Sequence, residues 1–431
     1  MKLALALVPS LAFLGGCWRE PAAPLAPAPA PSRAVEEQVT TQAPAPQRVQ
    51  LGIDVLLEQD SPWAQRLAGK KLGLVTNPSG VDGELVPTAD RLAADERLDL
   101  VQLYGPEHGI RGDVAAGDSI GDERDAVSGL PVQSLYGSRK APTAESLATL
   151  DALVFDIQDI GSRTYTYVST LGEVMKACAA AKKPLVVLDR PNPIGGVHFE
   201  GGMVEERFRS FIGWGPLPVT HGMTIGEVAR FYNAELGIGC ELEVVPMRGW
   251  ERAMTWDDTG LVWTTTSPHV PRFSAALLYT TTGMVDSASK NLSNGVGTTM
   301  PFELIAAEWI DGHTLARELG RHALPGVRFQ PLACKPFYGG HKDKHLRGVR
   351  LVVDAPGDYR PLRTAVAILV TLRQLYPDKF EFADETSIGK HWGSTRLLEQ
   401  LRGGATVAEI EAEWSASLAS FAAARAKALL Y

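Results

Sequence analysis

Cysteine is scarce in this chain, with four residues in 431, and long apolar runs are scarcer still. Apart from Cys17, the cysteines are Cys178, Cys240 and Cys334, an odd and widely spaced set without a CxxC, which excludes a disulfide framework. They are expected as buried thiols, with one Cys178–Cys240 bridge left open for an oxidising compartment. Excess positive charge is also missing: 42 Lys and Arg stand against 50 Asp and Glu, a formal net charge of −8. An acidic chain without a Lys/Arg cluster offers no electrostatic footprint for a phosphate backbone, so nucleic acid is not expected as a partner. No GxGxxG follows the first strand candidate, and no GxxxxGK[ST], HExxH or GxSxG occurs. The histidines show no clustered ligand spacing. The reading therefore needs no cofactor and no metal. Ser287-Ala288-Ser289-Lys290 matches SxxK, but KTG is absent and no helix visibly opens there, so the match is read as coincidence.

What is present is an ordinary globular composition, 45% hydrophobic and 21% charged, long enough for two or three domains. Its one marked apolar run, Leu3–Leu14, follows Lys2 and breaks into Leu14-Gly15-Gly16-Cys17. That is too short to span a bilayer and suits a signal peptide over residues 1–16. The small residues before Cys17 resemble a bacterial lipobox, so Cys17 is the expected lipidation site; a plain signal peptide with an incidental cysteine is the other reading. Residues 17–49 hold this cysteine and a Pro/Ala-rich linker, which cannot bury enough apolar surface to order itself. A lipoprotein anchored to a membrane and facing the bacterial periplasm, on a leaflet left open, is the expected location.

From about Gly52 the chain alternates short apolar runs with amphipathic stretches. Strands are expected at 72–77, 98–105, 152–159, 184–190 and 241–247, and helices around 58–69, 87–96, 143–150 and 165–182. The runs are nearly continuous rather than alternating, as in a parallel sheet covered on both faces. Thr224-Ile225-Gly226-Glu227 reads as a capping box that opens a helix towards Leu236. After the turn-rich stretch 255–271 the pattern changes, with helix-like runs at 272–281, 301–320, 360–376 and 407–429 and a strand at 348–354. The expected fold is α/β: a Rossmann-like, doubly wound, mostly parallel sheet over 50–255, with a second, smaller α/β domain over 256–431 completing a cleft.

The expected strand ends carry polar residues. The first runs into Asn77, and the second into Pro106-Glu107-His108-Gly109. The third ends in Asp156, Gln158 and Asp159, followed by Arg163, Tyr165 and Tyr167, and the fourth in Asp189-Arg190-Pro191-Asn192. Ligands of open α/β sheets bind beyond these carboxyl ends, so the four together point to one polar cleft, which His221 could join. Each residue also has a structural reading. Asp189 and Arg190 could pair to fix a turn or clamp a substrate. Asp156 could cap a helix or bond Arg163, His108 could be a satisfied loop residue, and the tyrosines could be core or wall. Glu107 differs, because Pro106 and Gly109 set a tight turn that presents its carboxylate.

At this point the chain resembles a known family. GIDVLLEQ, GLVTNPSGVDG, YGPEHGIRGD, PVQSLYG, FDIQDIGSRTYTY, LDRPNPIGG, HGMTIGE, WDDTGL and GTTMPFE recur in the order of the exo-β-N-acetylmuramidase family, from about residue 50 to the C-terminus. The resemblance implies removal of N-acetylmuramic acid from the non-reducing end of peptidoglycan fragments, in cell-wall turnover or recycling, without a nucleotide or metal. It implies Glu107 as the leading catalytic carboxylate, with His108 and Asp159 beside it. Asn77, Asp156, Gln158, Arg163, Tyr165, Asp189, Arg190, Asn192 and His221 would line the site. Arg163 is expected to take the lactyl carboxylate in a bidentate pair. One segment departs from the family pattern EGTN-x-SEGRGTT. Here Asp286 replaces the first glutamate, Asn294 the second and Val296 the arginine, with two residues inserted. Asn294 is expected to bind substrate rather than act as a base. The departure keeps a second expectation open, a weakly active or inactive sugar-binding lipoprotein of the same fold.

Overall fold

A computed structural model describes residues 48–112 and 123–431. The signal segment, the lipidation site at Cys17 and the linker to residue 47 lie outside the described residues. Two sheets organise the rest. The first has seven strands: β1 (Lys71–Thr76), β2 (Asp99–Gly105), β3 (Glu123–Arg124), β4 (Pro131–Ser134), β5 (Ala152–Asp156), β6 (Leu185–Leu188) and β7 (Leu242–Val245). Their spatial order is β3-β4-β2-β1-β5-β6-β7, with all neighbours parallel except β3 against β4. From β4 to β7 this is the doubly wound order, which reverses direction at β1.

The continuous apolar runs are explained by burial on both faces. Val75, Leu153, Phe155, Leu185 and Val187 enter one core cluster. Leu72, Leu74, Val154, Val186 and Leu188, the alternate residues of the same strands, enter another. Since both side-chain directions meet helices, no polar alternation survives in the sequence. The expected capping box forms: Thr224 Oγ1 accepts the Glu227 N–H at 3.2 Å and Glu227 Oε2 accepts the Thr224 N–H at 3.0 Å, opening the helix Ile225–Glu235.

The second sheet is antiparallel, in the order β8-β10-β9, with β8 (Leu304–Ala307), β9 (Val327–Cys334) and β10 (Leu346–Val353). Two expectations are corrected here. The run 301–320 is not one helix but strand β8 followed by the helix Gly312–Gly320, whose start Asp311 caps by accepting the Thr314 N–H at 2.7 Å. Strand β9 escapes sequence reading because Pro331 interrupts it. Proline cannot donate to a ladder and is tolerated here because β9 is an edge strand. The long helices Phe273–Ser287 and Pro361–Leu375 cover this sheet and share its core. The last helix, Val407–Arg425, returns to the first sheet's side, where Phe421 and Ala428 join its core and Tyr431 Oη donates to Asp189 Oδ2 at 2.8 Å. Cys178, Cys240 and Cys334 are free thiols, the first two buried in one apolar cluster; no bridge joins them.

Candidate active site

The turn after β2 builds the site. Gly109 N–H closes it onto Pro106 O at 3.0 Å, and both His108 (φ +74°) and Gly109 (φ +73°) adopt left-handed backbone. A left-handed histidine is strained, and such strain persists where surrounding structure imposes it. Its result is a partly exposed Glu107 lining a chamber of about 240 Å³ with His108, Thr164–Tyr167, Ile212, Ser267, His269, Tyr279 and Phe302. Burial holds the His269 imidazole below its usual range, and the neighbouring His108 adds to this. Burial, with the negative charge of Glu107 among its neighbours, pushes the Tyr279 phenol up to about 12, so the phenol stays a proton-bearing donor. Tyr165 Oη donates to Thr266 Oγ1 at 2.7 Å and Tyr167 Oη to Thr266 O at 2.8 Å, which fixes the 264–269 loop as one wall.

A second chamber of about 350 Å³ begins across Thr164, Tyr279 and Phe302, which line both. Its other walls include Asp286, Ser287, Ser289, Asn294 and His391. Phe302 is again left-handed (φ +63°), held by its N–H to Asn294 O at 2.7 Å. Asn294 Nδ2 reaches Asp286 Oδ2 at 3.4 Å. Burial pushes the Asp286 carboxyl up to about 7. Asp286 and Asn294, two of the positions where this chain departs from the family pattern, thus face one another beside the Glu107 chamber. Ser287 ends its helix and donates to Met284 O at 2.8 Å, so the SxxK match supplies no helix-start nucleophile.

Of the residues expected at the site, Glu107, His108 and Tyr165 line the first chamber and Asn294 the second. Asn77 lines a neighbouring cavity of about 450 Å³ beside Trp263, behind the Thr266 wall to which its amide donates at 3.4 Å. The other expected residues line none of these three cavities, and most of their polar groups bond within the fold. Arg163 is fully buried, its guanidinium donating to Gly202 O and Leu217 O at 2.9 Å each and to His391 O at 2.6 Å, so it cannot clasp a substrate carboxylate. Asp156 pairs with Arg190 through two bonds of 2.5 and 2.7 Å, and Arg190 also donates to Val81 O at 2.6 Å. The Arg190 guanidinium therefore forms no ion pair with Asp189, whose carboxylate receives from Arg190 only the backbone N–H, at 3.0 Å. Asp189 instead accepts Gly226 N–H at 2.7 Å and the hydroxyls of Thr224 and Tyr431 at 2.8 Å each, stapling helix and C-terminus to β6. Gln158 Nε2 donates to Asp159 O and Pro191 O at 2.7 Å each, and Asn192 Nδ2 to Met223 O at 3.0 Å. Asp159 Oδ2 accepts Gly161 N–H at 2.7 Å and lies 3.2 Å from His221 Nε2, while His221 Nδ1 accepts Met223 N–H at 3.3 Å.

Sequence reasoning missed His269, Ser267, Tyr279, Phe302 and His391. The first two sit in the stretch 255–271, read only as a domain boundary, and the others come from the second half of the chain without a local signal. The Arg163 correction has a measurable consequence. Lysine cannot serve three carbonyls fanned around a planar fork, so Arg163→Lys should cost at least about 2 kcal/mol in urea unfolding, with substrate preference unchanged among molecules still folded.

Comparison with known proteins agrees with this architecture. Residues 72–274 match the family description "Exo-beta-N-acetylmuramidase NamZ, N-terminal" and residues 277–431 match "Exo-beta-N-acetylmuramidase NamZ, C-terminal". A curated relative from Bacillus subtilis (strain 168), described as "Peptidoglycan beta-N-acetylmuramidase NamZ", is 40% identical over 384 residues, 89% of this chain and 92% of the relative. A crystal structure of a DUF1343 family protein from Bacteroides fragilis NCTC 9343 superposes with TM-score 0.82 at 39% identity, covering 89% of this chain and 99% of that one. A second DUF1343 structure from the same organism, 24% identical with TM-score 0.68 over 89% of this chain and 99% of its own, shares the fold. Matched along both of its halves, the chain belongs to the exo-β-N-acetylmuramidase NamZ family.

Proposed function

We propose that this protein is an exo-acting glycoside hydrolase that releases N-acetylmuramic acid from the non-reducing end of peptidoglycan fragments. The observation that carries the reading is Glu107, presented by a strained turn into an open chamber, in a chain 40% identical to a relative described as a peptidoglycan β-N-acetylmuramidase. Hydrolysis of a glycosidic bond requires a proton for the departing oxygen and a carboxylate at the anomeric centre or at the attacking water. Asp286 supplies the first: its carboxyl, raised to about 7, keeps its proton in slightly acidic solution. Glu107 supplies the second. The C1–O bond breaks as Asp286 gives its proton to the leaving oxygen, and water adds at C1, releasing a proton that restores the Asp286 carboxyl. Tyr165, Tyr279 and Phe302 offer ring faces to a sugar, and lysine and arginine are absent among the described residues that line the two chambers, so histidines meet its lactyl group.

The test is release of N-acetylmuramic acid from a MurNAc-GlcNAc disaccharide by purified protein. Tight disaccharide binding without release would replace the enzyme by a sugar-binding protein of the same fold. The lipobox-like Leu14-Gly15-Gly16-Cys17 and the Pro/Ala-rich stretch behind it support a lipid-anchored enzyme facing the periplasm. Cys17→Ala should move the protein from the membrane fraction to the soluble one; retention in the membrane would count against the anchor.

A further inference from the structure

The net charge of −8 conceals a local excess of the opposite sign. Between β9 and β10 the chain reads Lys335-Pro336-Phe337-Tyr338-Gly339-Gly340-His341-Lys342-Asp343-Lys344-His345, and Arg347 follows in β10. The expectation that the chain has no Lys/Arg cluster is thus corrected. Four cations and two histidines surround one aspartate, and the antiparallel pairing of Cys334 with Leu346 brings them to one hairpin tip. Lys335, Lys342, Lys344, His345 and Arg347 are exposed, as are Phe337 (59%) and Tyr338 (39%). The ion pairs at this tip are loose, Lys335–Asp343 at 3.8 Å and Lys344–Glu308 at 3.5 Å, and leave the cations available to a partner. Lys335, His345 and Arg347 also line a shallow cavity of about 520 Å³.

This tip is fastened to the cleft. Tyr338 stacks on His269, a wall of the Glu107 chamber, with ring centroids 5.9 Å apart and planes 19° from parallel. Phe337 N–H donates to Gly297 O at 2.8 Å, and His341 Nε2 lies 2.9 Å from Leu292 O, on either side of Asn294. The approach is close enough to demand glycine: Gly297 has φ +95°, and a Cβ there would collide with Tyr338 O. A molecule leaving the Glu107 chamber past His269 therefore meets two exposed aromatic rings and then a field of positive charge.

We propose that this hairpin is the docking surface for the part of the substrate that is not cleaved, a glycan strand bearing free carboxylates on alternate sugars. Aromatic rings suit sugar faces, and recurring carboxylates suit spaced cations. The proposal rests on the muramidase reading, and makes the enzyme prefer longer anionic chains over the disaccharide. The variant Lys335→Gln/Lys342→Gln/Lys344→Gln tests it, because these exposed side chains lie outside both chambers and their loss leaves the fold and the disaccharide reaction intact. Binding is measured by calorimetry on Glu107→Gln protein, so that intact oligosaccharides are compared whether or not the wild type cleaves them. The expected result is an affinity for a MurNAc-GlcNAc hexasaccharide that falls about tenfold in the triple variant and loses most of its salt dependence, with disaccharide affinity unchanged. Equal affinity of the unmutated surface for both lengths, or a hexasaccharide affinity untouched by the triple change, overturns it. Loss of binding to anionic phospholipid vesicles with hexasaccharide affinity intact also overturns it, in favour of a membrane contact. Failure of the wild type to release sugar would count against the muramidase reading alone.

Discussion

Glu107→Gln should lower kcat for release of N-acetylmuramic acid by about 10³-fold while leaving the protein folded and able to bind the disaccharide. Glutamine keeps the volume of the side chain and its hydrogen-bonding reach, but an amide neither bonds covalently to an anomeric carbon nor takes a proton from water. Glu107 is partly exposed at a turn whose shape comes from Pro106, His108 and Gly109, so the substitution removes no buried support. The measurement is steady-state kinetics on the disaccharide beside an unfolding curve. A variant retaining more than a tenth of wild-type kcat would remove Glu107 from the chemistry.

Asp286→Asn should reduce kcat on the disaccharide by roughly 10²-fold or more, yet much less on an aryl glycoside whose leaving group needs no proton. The pH profile gives the sign. Asp286 titrates near 7 in the folded protein, so its proton is present below that value and lost above it, and wild-type activity should fall as pH rises through about 7. The variant should lack that limb. Stability provides an independent reading. The folded pKa lies above the ordinary 3.8, so the folded protein retains a proton that the unfolded chain has lost, and stability falls as pH rises from about 4 to 7. A neutral amide at this position carries no such penalty, so the variant should be more resistant to urea than the wild type at pH ~8. Equal losses on both leaving groups would make Asp286 a structural residue.

These two carboxyls mark the boundary of what the sequence conveys. Glu107 is legible because a local device, a proline and a glycine around a strand end, produces its exposure. Asp286 lies 179 residues further on, in a helix of the other half, and only packing brings it to the adjoining chamber. His269 and Phe302 reach the same walls from a loop and a left-handed turn without periodicity. Sequence spacing likewise overstates the strand ends. Asp156, Asp189, Arg190 and Arg163 have the chemistry of substrate ligands, but whether such groups face a cleft or the interior depends on what covers them. Here Thr88, Val81, Tyr431 and the His391 carbonyl do.

By itself the sequence determined the doubly wound sheet, five of its seven strands (β3 and β4 carry too short a run to read), the capping box at Thr224 and the family, because these follow from local periodicity, short-range hydrogen bonds and long contiguous motifs. Tertiary structure alone decided which polar residues became scaffold and which became surface. It also split 301–320 into a strand and a helix, and set Pro331 safely on a sheet edge. The physical reason is the same in each case. Burial and charge pairing are properties of neighbours in space, and the neighbours of Glu107 and Asp286 come from segments that sequence order keeps far apart.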